Sequence, residues 1–203
     1  MTSVDAISEL RRLRAPLIST HDASVLWNMS PSAANKTLTR LSPIVRQIRR
    51  GLWAIEEKVD PFTVAPYLTA PYASYVSLQT ALYAHGMISQ IPALIYTVTT
   101  DRARQVETSV GVFSIHKIAP EFFLLDGFDI IGDVRLALPE KALLDVLYLS
   151  ATSDRRFAAL PEIEIPSNFN ARRARGWIRK IPSPRMRGIV EQGFEQVLNQ
   201  ESV

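Results

Sequence analysis

The chain of 203 residues is long enough for one or two domains. Hydrophobic residues make up 47% of it and charged residues 21%, which allows a packed core and excludes wholesale disorder. The absence of cysteine excludes disulfides, thiolate metal sites and cysteine nucleophiles. There is no run of about 18 apolar residues, and the N-terminus carries charges where a signal peptide would be apolar, so we expect a cytoplasmic protein without membrane contact.

The net charge of +3 is the sum of three unlike blocks. Residues 1–55 hold 8 Lys and Arg against 3 Asp and Glu, residues 56–170 hold 8 against 14, and residues 171–203 hold 7 against 3. The two ends are therefore basic and the middle is acidic. This asymmetry suggests a polyanionic partner for the ends, the alternative being solvated faces that differ by chance.

Three helices are predicted in the first 42 residues, from apolar spacing and from helix-start signals. They cover residues 4–14, about 21–29 and 31–42. A short strand or extended link at Leu17–Ser19 follows the first helix, and Thr20 or His21 caps the second. Ser30 followed by Pro31 is a two-part start signal for the third helix.

A β-hairpin is predicted next, with strands at residues 44–48 and 52–55 and a tight turn at residues 49–51. Gly51 gives this turn its conformational freedom. Three short helices followed by a hairpin are the layout of a winged helix-turn-helix, in which the third helix enters the major groove of DNA. The sequence therefore predicts a winged helix-turn-helix DNA-binding domain over residues 1–60.

The third helix has one apolar and one polar face. If Ala34, Leu38 and Leu41 face the core, the opposite face is polar and cationic. Such side chains can bond base edges and phosphates, and no acidic residue lies between Asp22 and Glu56 to oppose them. The predicted DNA contacts are Ser32, Asn35, Lys36, Thr39 and Arg40 of this face, and Arg46, Arg49 and Arg50 of the hairpin.

Residues 56–66 carry charges and two prolines, which predict a short linker before a mixed α+β domain over residues 62–203. A buried helix is predicted over residues 72–85, with Gly86 as its C-cap. The other elements predicted before residue 150 are strands at 93–99 and 111–118, which could pair as a hairpin across the polar segment 100–107, strands at 122–125 and 129–134, and a helix at 139–149.

The last block predicts a basic helix over residues 170–181 and a final helix that starts at Pro184. The cations of the basic helix are Arg172, Arg173, Arg175, Arg179 and Lys180. They are candidates for contact with a second stretch of DNA backbone, for contact with an acidic protein surface, or for solvation alone.

The sequence contains no recognisable catalytic, cofactor-binding or metal-binding constellation. It lacks the GxGxxG and P-loop patterns, the GxSxG elbow and the HExxH pair. The histidines lie on separate predicted elements, and three closely spaced aspartates suit loops as well as a metal site. These residues are His21, His85 and His116, and Asp126, Asp129 and Asp133. We therefore expect neither enzymatic activity nor a cofactor or metal.

Parts of the middle of the chain resemble motifs of the AbiEi-type antitoxins, a family of bacterial transcriptional regulators in type IV toxin–antitoxin systems. The matching residues are Tyr75 to Leu78, Ala81, Leu82, His85, Gly86, Thr97 to Thr99, and Ala137 to Asp145. The resemblance covers roughly residues 5–150. It implies an N-terminal domain that binds inverted repeats in the promoter of its own operon. It also implies a C-terminal domain that counters a nucleotidyltransferase-like toxin encoded alongside.

The sequence thus predicts an α+β protein, with a winged helix-turn-helix followed by a mixed α+β domain, that binds double-stranded DNA and represses its own operon as an antitoxin. Two alternatives remain open. The winged helix could be a protein-interaction module that does not bind DNA, or the acidic middle block could belong to a metal-dependent nuclease. The oligomeric state is not predicted.

Overall fold

The structure, a computed structural model, describes residues 2–124, 126–152 and 161–200. Over these residues the chain has the mixed α+β composition that the sequence predicts. No helix among them has the length and apolar character needed to cross a membrane.

Six elements form what we call the N-terminal unit. They are α1 (Ser3–Arg12), β1 (Leu17–Ser19), α2 (Thr20–Leu26), α3 (Pro31–Arg40), β2 (Arg46–Arg49) and β3 (Leu52–Ala54). The strands form an antiparallel sheet in the order β1–β3–β2. As predicted, Pro31 opens α3 and the hydroxyl of Ser30 accepts the N–H of Ala33. The cap of α2 is Ser19, not Thr20 or His21, because its hydroxyl accepts the N–H of Asp22.

The three helices and the sheet of the N-terminal unit bury one apolar cluster. Its buried members are Ala6, Leu10, Ile18, Ala23, Trp27, Ala34, Leu38, Leu41, Val45 and Trp53. Helix α3 contributes Ala34 and Leu38 to this cluster, four residues apart on one face. The opposite face of α3 is therefore turned to solvent.

The hairpin of β2 and β3 is held against the start of α2. Gly51 takes a positive φ of 84° in the turn, as the sequence predicts. Its carbonyl accepts the N–H of Thr20 at 2.9 Å, and the indole N–H of Trp53 donates to the hydroxyl of Thr20 at 2.9 Å. These bonds fix the turn of the hairpin relative to the helices.

The predicted linker is wrong in its second half, which forms helix α4 (Pro61–Thr69). Asp60 caps this helix by accepting the N–H of Phe62 at 2.8 Å, and Pro61 occupies the first helical position, where no N–H is needed. Pro66 lies inside the helix and removes one backbone hydrogen bond. Helix α4 also buries the apolar side chains of Val64, Ala65 and Leu68 in the core.

The remaining elements form what we call the C-terminal unit. They are β4 (Ser74–Val76), α5 (Leu78–Ala84), β5 (Ile95–Thr99), β6 (Arg104–Thr108), β7 (Gly111–Lys117), a 3₁₀ helix (Pro120–Phe122), β8 (Phe128–Ile131), β9 (Val134–Ala137), α6 (Pro139–Ser150), α7 (Ala171–Ile178) and α8 (Pro184–Gln200). The strands form one sheet in the order β6–β7–β5–β4–β9–β8. The predictions of α6, α7 and α8 are confirmed to within a few residues.

The helix predicted over residues 72–85 is wrong in its first half, which forms β4. This strand lies inside the sheet, antiparallel to β5 and parallel to β9, and all three of its residues are buried. A strand buried on both faces lacks polar alternation, so its sequence resembles that of a buried helix. The helical part begins at Leu78, and Gly86 follows it with a φ of 68°.

The predicted hairpin of residues 93–99 and 111–118 is also wrong, because β5 and β7 are parallel, with Ile95 beside Phe113. The antiparallel neighbour of β7 is β6, which lies in the segment between the two predicted strands. Strand β6 is at the edge of the sheet and fully buries only Val106. Because β6 is mostly polar, its sequence does not predict a strand.

Two further strand predictions need correction. The first, over residues 122–125, falls at the end of the 3₁₀ helix, and its last residue lies outside the described residues. The second, over residues 129–134, is a hairpin of β8 and β9 rather than one strand, with Gly132 at a φ of 60° in the turn.

A second apolar cluster joins the two units. It buries Leu17, Ile48, Leu52 and Ala54 of the first sheet with Val64, Ala65 and Leu68 of α4 and Val76, Val106, Phe113 and Ile115 of the second sheet. Two hydrogen bonds accompany it, from the N–H and hydroxyl of Ser109 to the carbonyls of Ile48 at 2.8 Å and Gln47 at 3.2 Å. The division at residue 60 stays a prediction, and a cut there would expose this cluster.

The largest cluster surrounds α6 and contains a buried ion pair. Lys141 and Asp145, one turn apart on α6, are both inaccessible to solvent, and the Lys141 amine donates to the Asp145 carboxylate. The other carboxylate oxygen accepts the hydroxyls of Tyr75 at 3.0 Å and Ser77 at 2.7 Å. The amine also lies 4.1 Å from the ring centroid of Phe122, within cation–π range. The pair thereby ties α6 to β4.

Burial shifts the pKa values of Tyr75, Lys141 and Asp145. It raises the pKa of Asp145 and lowers the pKa of Lys141, because each charge has lost its water, while the opposite charge beside it counteracts both shifts. Burial and the neighbouring Asp145 hold the pKa of Tyr75 well above its usual range. Each charge is therefore tolerated only because its partner is present.

We expect Asp145→Asn to lower the free energy of unfolding by about 3–5 kcal/mol, because it leaves the buried Lys141 amine without a counter-charge while keeping an acceptor for the two hydroxyls. Adding Lys141→Met should restore most of that loss. Urea unfolding of the full chain measures both effects, and Asp129→Asn, which changes an exposed carboxylate, is the control. A double variant no more stable than Asp145→Asn would contradict an ionised pair.

Candidate nucleic-acid interface

The face of α3 predicted to contact DNA is exposed. The exposed side chains are Ser32, Asn35, Lys36, Thr39 and Arg40. The hydroxyl of Thr39 donates to the backbone carbonyl of Asn35 at 2.9 Å. Within the described part of the chain, the side chains of Asn35, Lys36 and Arg40 make no hydrogen bond or ion pair. This face therefore offers an amide and two cations to an external partner.

The three hairpin arginines predicted as DNA contacts do not lie together. Arg49 and Arg50 are exposed at the turn, beside the N-terminus of α2. Arg46 lies opposite Ala54 at the other end of the hairpin, where its guanidinium donates to the backbone carbonyl of Glu57. At about 3.3 Å per residue, some 10 Å of strand separates Arg46 from the turn. The structure thus places Arg46 in different surroundings from the other two.

Arg46 shares a groove with two cations that sequence analysis missed. Arg11, from the last turn of α1, and Lys58, after β3, line this groove with it. The three residues come from separate segments of the chain, and no spacing in the sequence links them. Only the fold could have revealed this grouping.

The basic helix α7 is held to α6 by a buried carboxylate. Glu140 is inaccessible to solvent, and one of its oxygens accepts the Nη2–H of Arg173 at 2.8 Å. Its other oxygen accepts the backbone N–H of Asn170, the N-cap of α7. Arg173 also lies over the ring of Trp177, 5.5 Å from its centroid. This predicted contact residue therefore fixes the position of α7 within the protein.

Two more cations of the predicted basic helix, one on α7 and one just after it, are paired within the protein. Arg175 bonds both carboxylate oxygens of Glu195 on α8, at 2.8 and 3.0 Å, and these bonds lower the pKa of Glu195. The amine of Lys180 lies 3.8 Å from Asp126. Among the described residues, the cations of this helix that have no carboxylate partner are Arg172 and Arg179. Most of the basic charge of α7 is thus neutralised internally.

The histidines do not form a site. The Nε2 atom of His85 lies 2.7 Å from the carbonyl oxygen of Ala137, and that of His116 lies 2.8 Å from the hydroxyl of Ser114. His21 is exposed on α2. In the ranges that the structure describes, no group of three or more His, Cys, Asp or Glu residues is arranged to hold a metal ion.

No model of a known protein family matches the chain, and no curated protein matches it. The resemblance to the AbiEi-type antitoxins therefore rests on the motif residues themselves. Tyr75 and Ser77, from the matching segment at residues 75–86, donate hydrogen bonds to Asp145, from the matching segment at residues 137–145. His85 of the first segment contacts Ala137 of the second. The two motifs thus meet in the interior of the protein.

Proposed function

We propose that the chain is a DNA-binding transcriptional regulator whose N-terminal unit is a winged helix-turn-helix. The observation that carries this proposal is the exposed face of α3, where Asn35, Lys36 and Arg40 lack partners within the described part of the chain. The order of helices and strands and the antiparallel sheet β1–β3–β2 also support it. In such domains the third helix enters the major groove.

In this proposal each element has a separate role on the duplex. Asn35 bonds the edge of an adenine through its amide, and Lys36 bonds a guanine or a phosphate. Arg49 and Arg50, at the turn, contact the backbone or a narrow minor groove, whose negative potential favours arginine. Asn35 would thus read sequence, whereas the arginines would supply affinity.

By its resemblance to the AbiEi-type antitoxins, the regulator would bind inverted repeats in its own promoter and repress its operon. The C-terminal unit would counter a nucleotidyltransferase-like toxin encoded nearby. Of the basic residues on α7, Arg172 and Arg179 are the ones available for a secondary DNA or partner contact in this proposal.

We expect the affinity for a duplex from the upstream region to fall steeply with salt, by about 0.9 log unit per log unit of salt for each phosphate contacted. Fluorescence anisotropy between about 50 and 200 mM salt measures the slope. Lys36→Ala should reduce it by about one if Lys36 contacts a phosphate. Lys117→Ala, at an exposed lysine of the C-terminal unit, is the control. A nearly flat dependence would favour a protein-interaction module instead.

Base reading and backbone binding should respond differently to mutation. We expect Asn35→Ala to cost about 1–3 kcal/mol on the specific site and nothing on unrelated duplexes. Arg49→Ala combined with Arg50→Ala should weaken binding to all duplexes alike. Asn168→Ala, at an exposed loop asparagine, is the control for the amide change. If both changes act equally on every duplex, Asn35 does not read a base.

The antitoxin role should be separable from DNA binding in the full chain, which is used because the two units share a core. We expect the variant with Asn35→Ala, Arg49→Ala and Arg50→Ala to restore growth when co-expressed, from an unrelated promoter, with the nearby toxin gene. Charge reversal at Arg172 and Arg179 tests the contribution of α7. If the wild-type chain protects from its own promoter and this variant does not protect, repression alone explains protection.

A further inference from the structure

A groove of about 660 Å³ opens at the end of the hairpin away from its turn. It is formed by the last turn of α1, the loop between α3 and β2, the first residue of β2, and the segment that follows β3. The residues that decide its chemistry are Arg11, Ile44, Arg46, Ile55, Glu57 and Lys58. Its volume is within the range of about 300–1,000 Å³ that small-molecule sites occupy.

Part of the groove wall is apolar and exposed to solvent. Ile44 is 50% exposed in the loop before β2, although it is a large aliphatic side chain. Ile55 is partly buried beside it in the groove and packs against the core of the N-terminal unit. A ligand with an apolar body would be stabilised here in proportion to the apolar area it removes from water.

The polar part of the groove carries excess positive charge. The guanidinium of Arg46 is positioned by its bond to the backbone carbonyl of Glu57. Neither Arg11 nor Lys58 forms an ion pair within the described ranges, and Glu57 is the one acidic residue among the groove residues given above. With three cations and one carboxylate, the groove carries a net charge of +2, which favours an anionic ligand.

We propose that this groove binds a small organic carboxylate with an apolar ring or chain. A planar guanidinium matches a carboxylate through two parallel hydrogen bonds, which Arg11 or Arg46 can supply. The apolar body would cover Ile44 and Ile55. An inorganic anion or a DNA phosphate would satisfy the cations but leave the isoleucines in water. The combination of the two surfaces therefore selects an amphipathic anion.

The test uses 1-naphthoate as the probe and the full chain without DNA, so its result does not depend on the proposed DNA binding. Isothermal titration calorimetry should show saturable binding at one site. The neutral analogue 1-naphthalenemethanol should bind at least about tenfold more weakly, because it cannot form charge-assisted hydrogen bonds. Inorganic phosphate at the same concentration should not displace the naphthoate.

Two substitutions locate the site, each with a matched control. Arg11→Gln and Ile44→Ser should each weaken naphthoate binding by about tenfold. Arg185→Gln and Ile189→Ser, at an exposed arginine and an exposed isoleucine of α8, should leave it unchanged. Thermal unfolding confirms that the variants are folded. Absence of saturable binding, equal losses in the controls, or full displacement by phosphate would each overturn the proposal.

Discussion

The buried ion pair of Lys141 and Asp145 is the constraint on which the C-terminal unit depends. Neither charge reaches water, so α6 must lie where Tyr75 and Ser77 complete the hydrogen bonding of the carboxylate. Both hydroxyls come from β4 or the residue after it, and β4 lies between β5 and β9 in the sheet. A Cβ at Gly127 would approach the Lys141 side chain to 2.9 Å, so the chain before β8 must pass closely over the pair. One charge pair thus positions a helix, a strand and a turn.

A second buried carboxylate, that of Glu140 next to Lys141, holds α7 against α6. The buried carboxylate of Glu140 accepts hydrogen bonds from the backbone N–H of Asn170, the N-cap of α7, and from the guanidinium of Arg173. Together with the Arg175 bond to Glu195, this pairs two of the seven Lys and Arg residues of the last block with carboxylates inside the protein. The net charge of a sequence segment does not distinguish cations that are paired within the protein from cations that are unpaired. The N-terminal block differs, because no acidic residue lies within residues 23–55 to neutralise its cations locally.

Features that depend on a few neighbouring residues could be predicted from the sequence. The start of α3 at Ser30 and Pro31, the turn at Gly51 and the exposed face of α3 all follow from local spacing and capping. The parallel pairing of β5 with β7 could not be predicted, because it joins residues some distance apart along the chain and has no local turn signal. Strand β4 was missed because burial on both faces removes alternation. The same holds for the candidate site. The exposed face of α3 follows from residues close together in the sequence, whereas the grouping of Arg46 with Arg11 depends on the fold.

The contact between the two units bears on how the proposed DNA surface is presented. Strand β2 carries Arg49 at its turn end, and its carbonyls at Gln47 and Ile48 are bonded by Ser109 from the turn between β6 and β7. On its other side the hairpin turn is bonded to the start of α2 through Gly51. The hairpin is therefore held by both units, and the shared apolar cluster behind it resists their separation. The position of β2 therefore depends on the β6–β7 turn of the C-terminal unit as well as on the helices of the N-terminal unit.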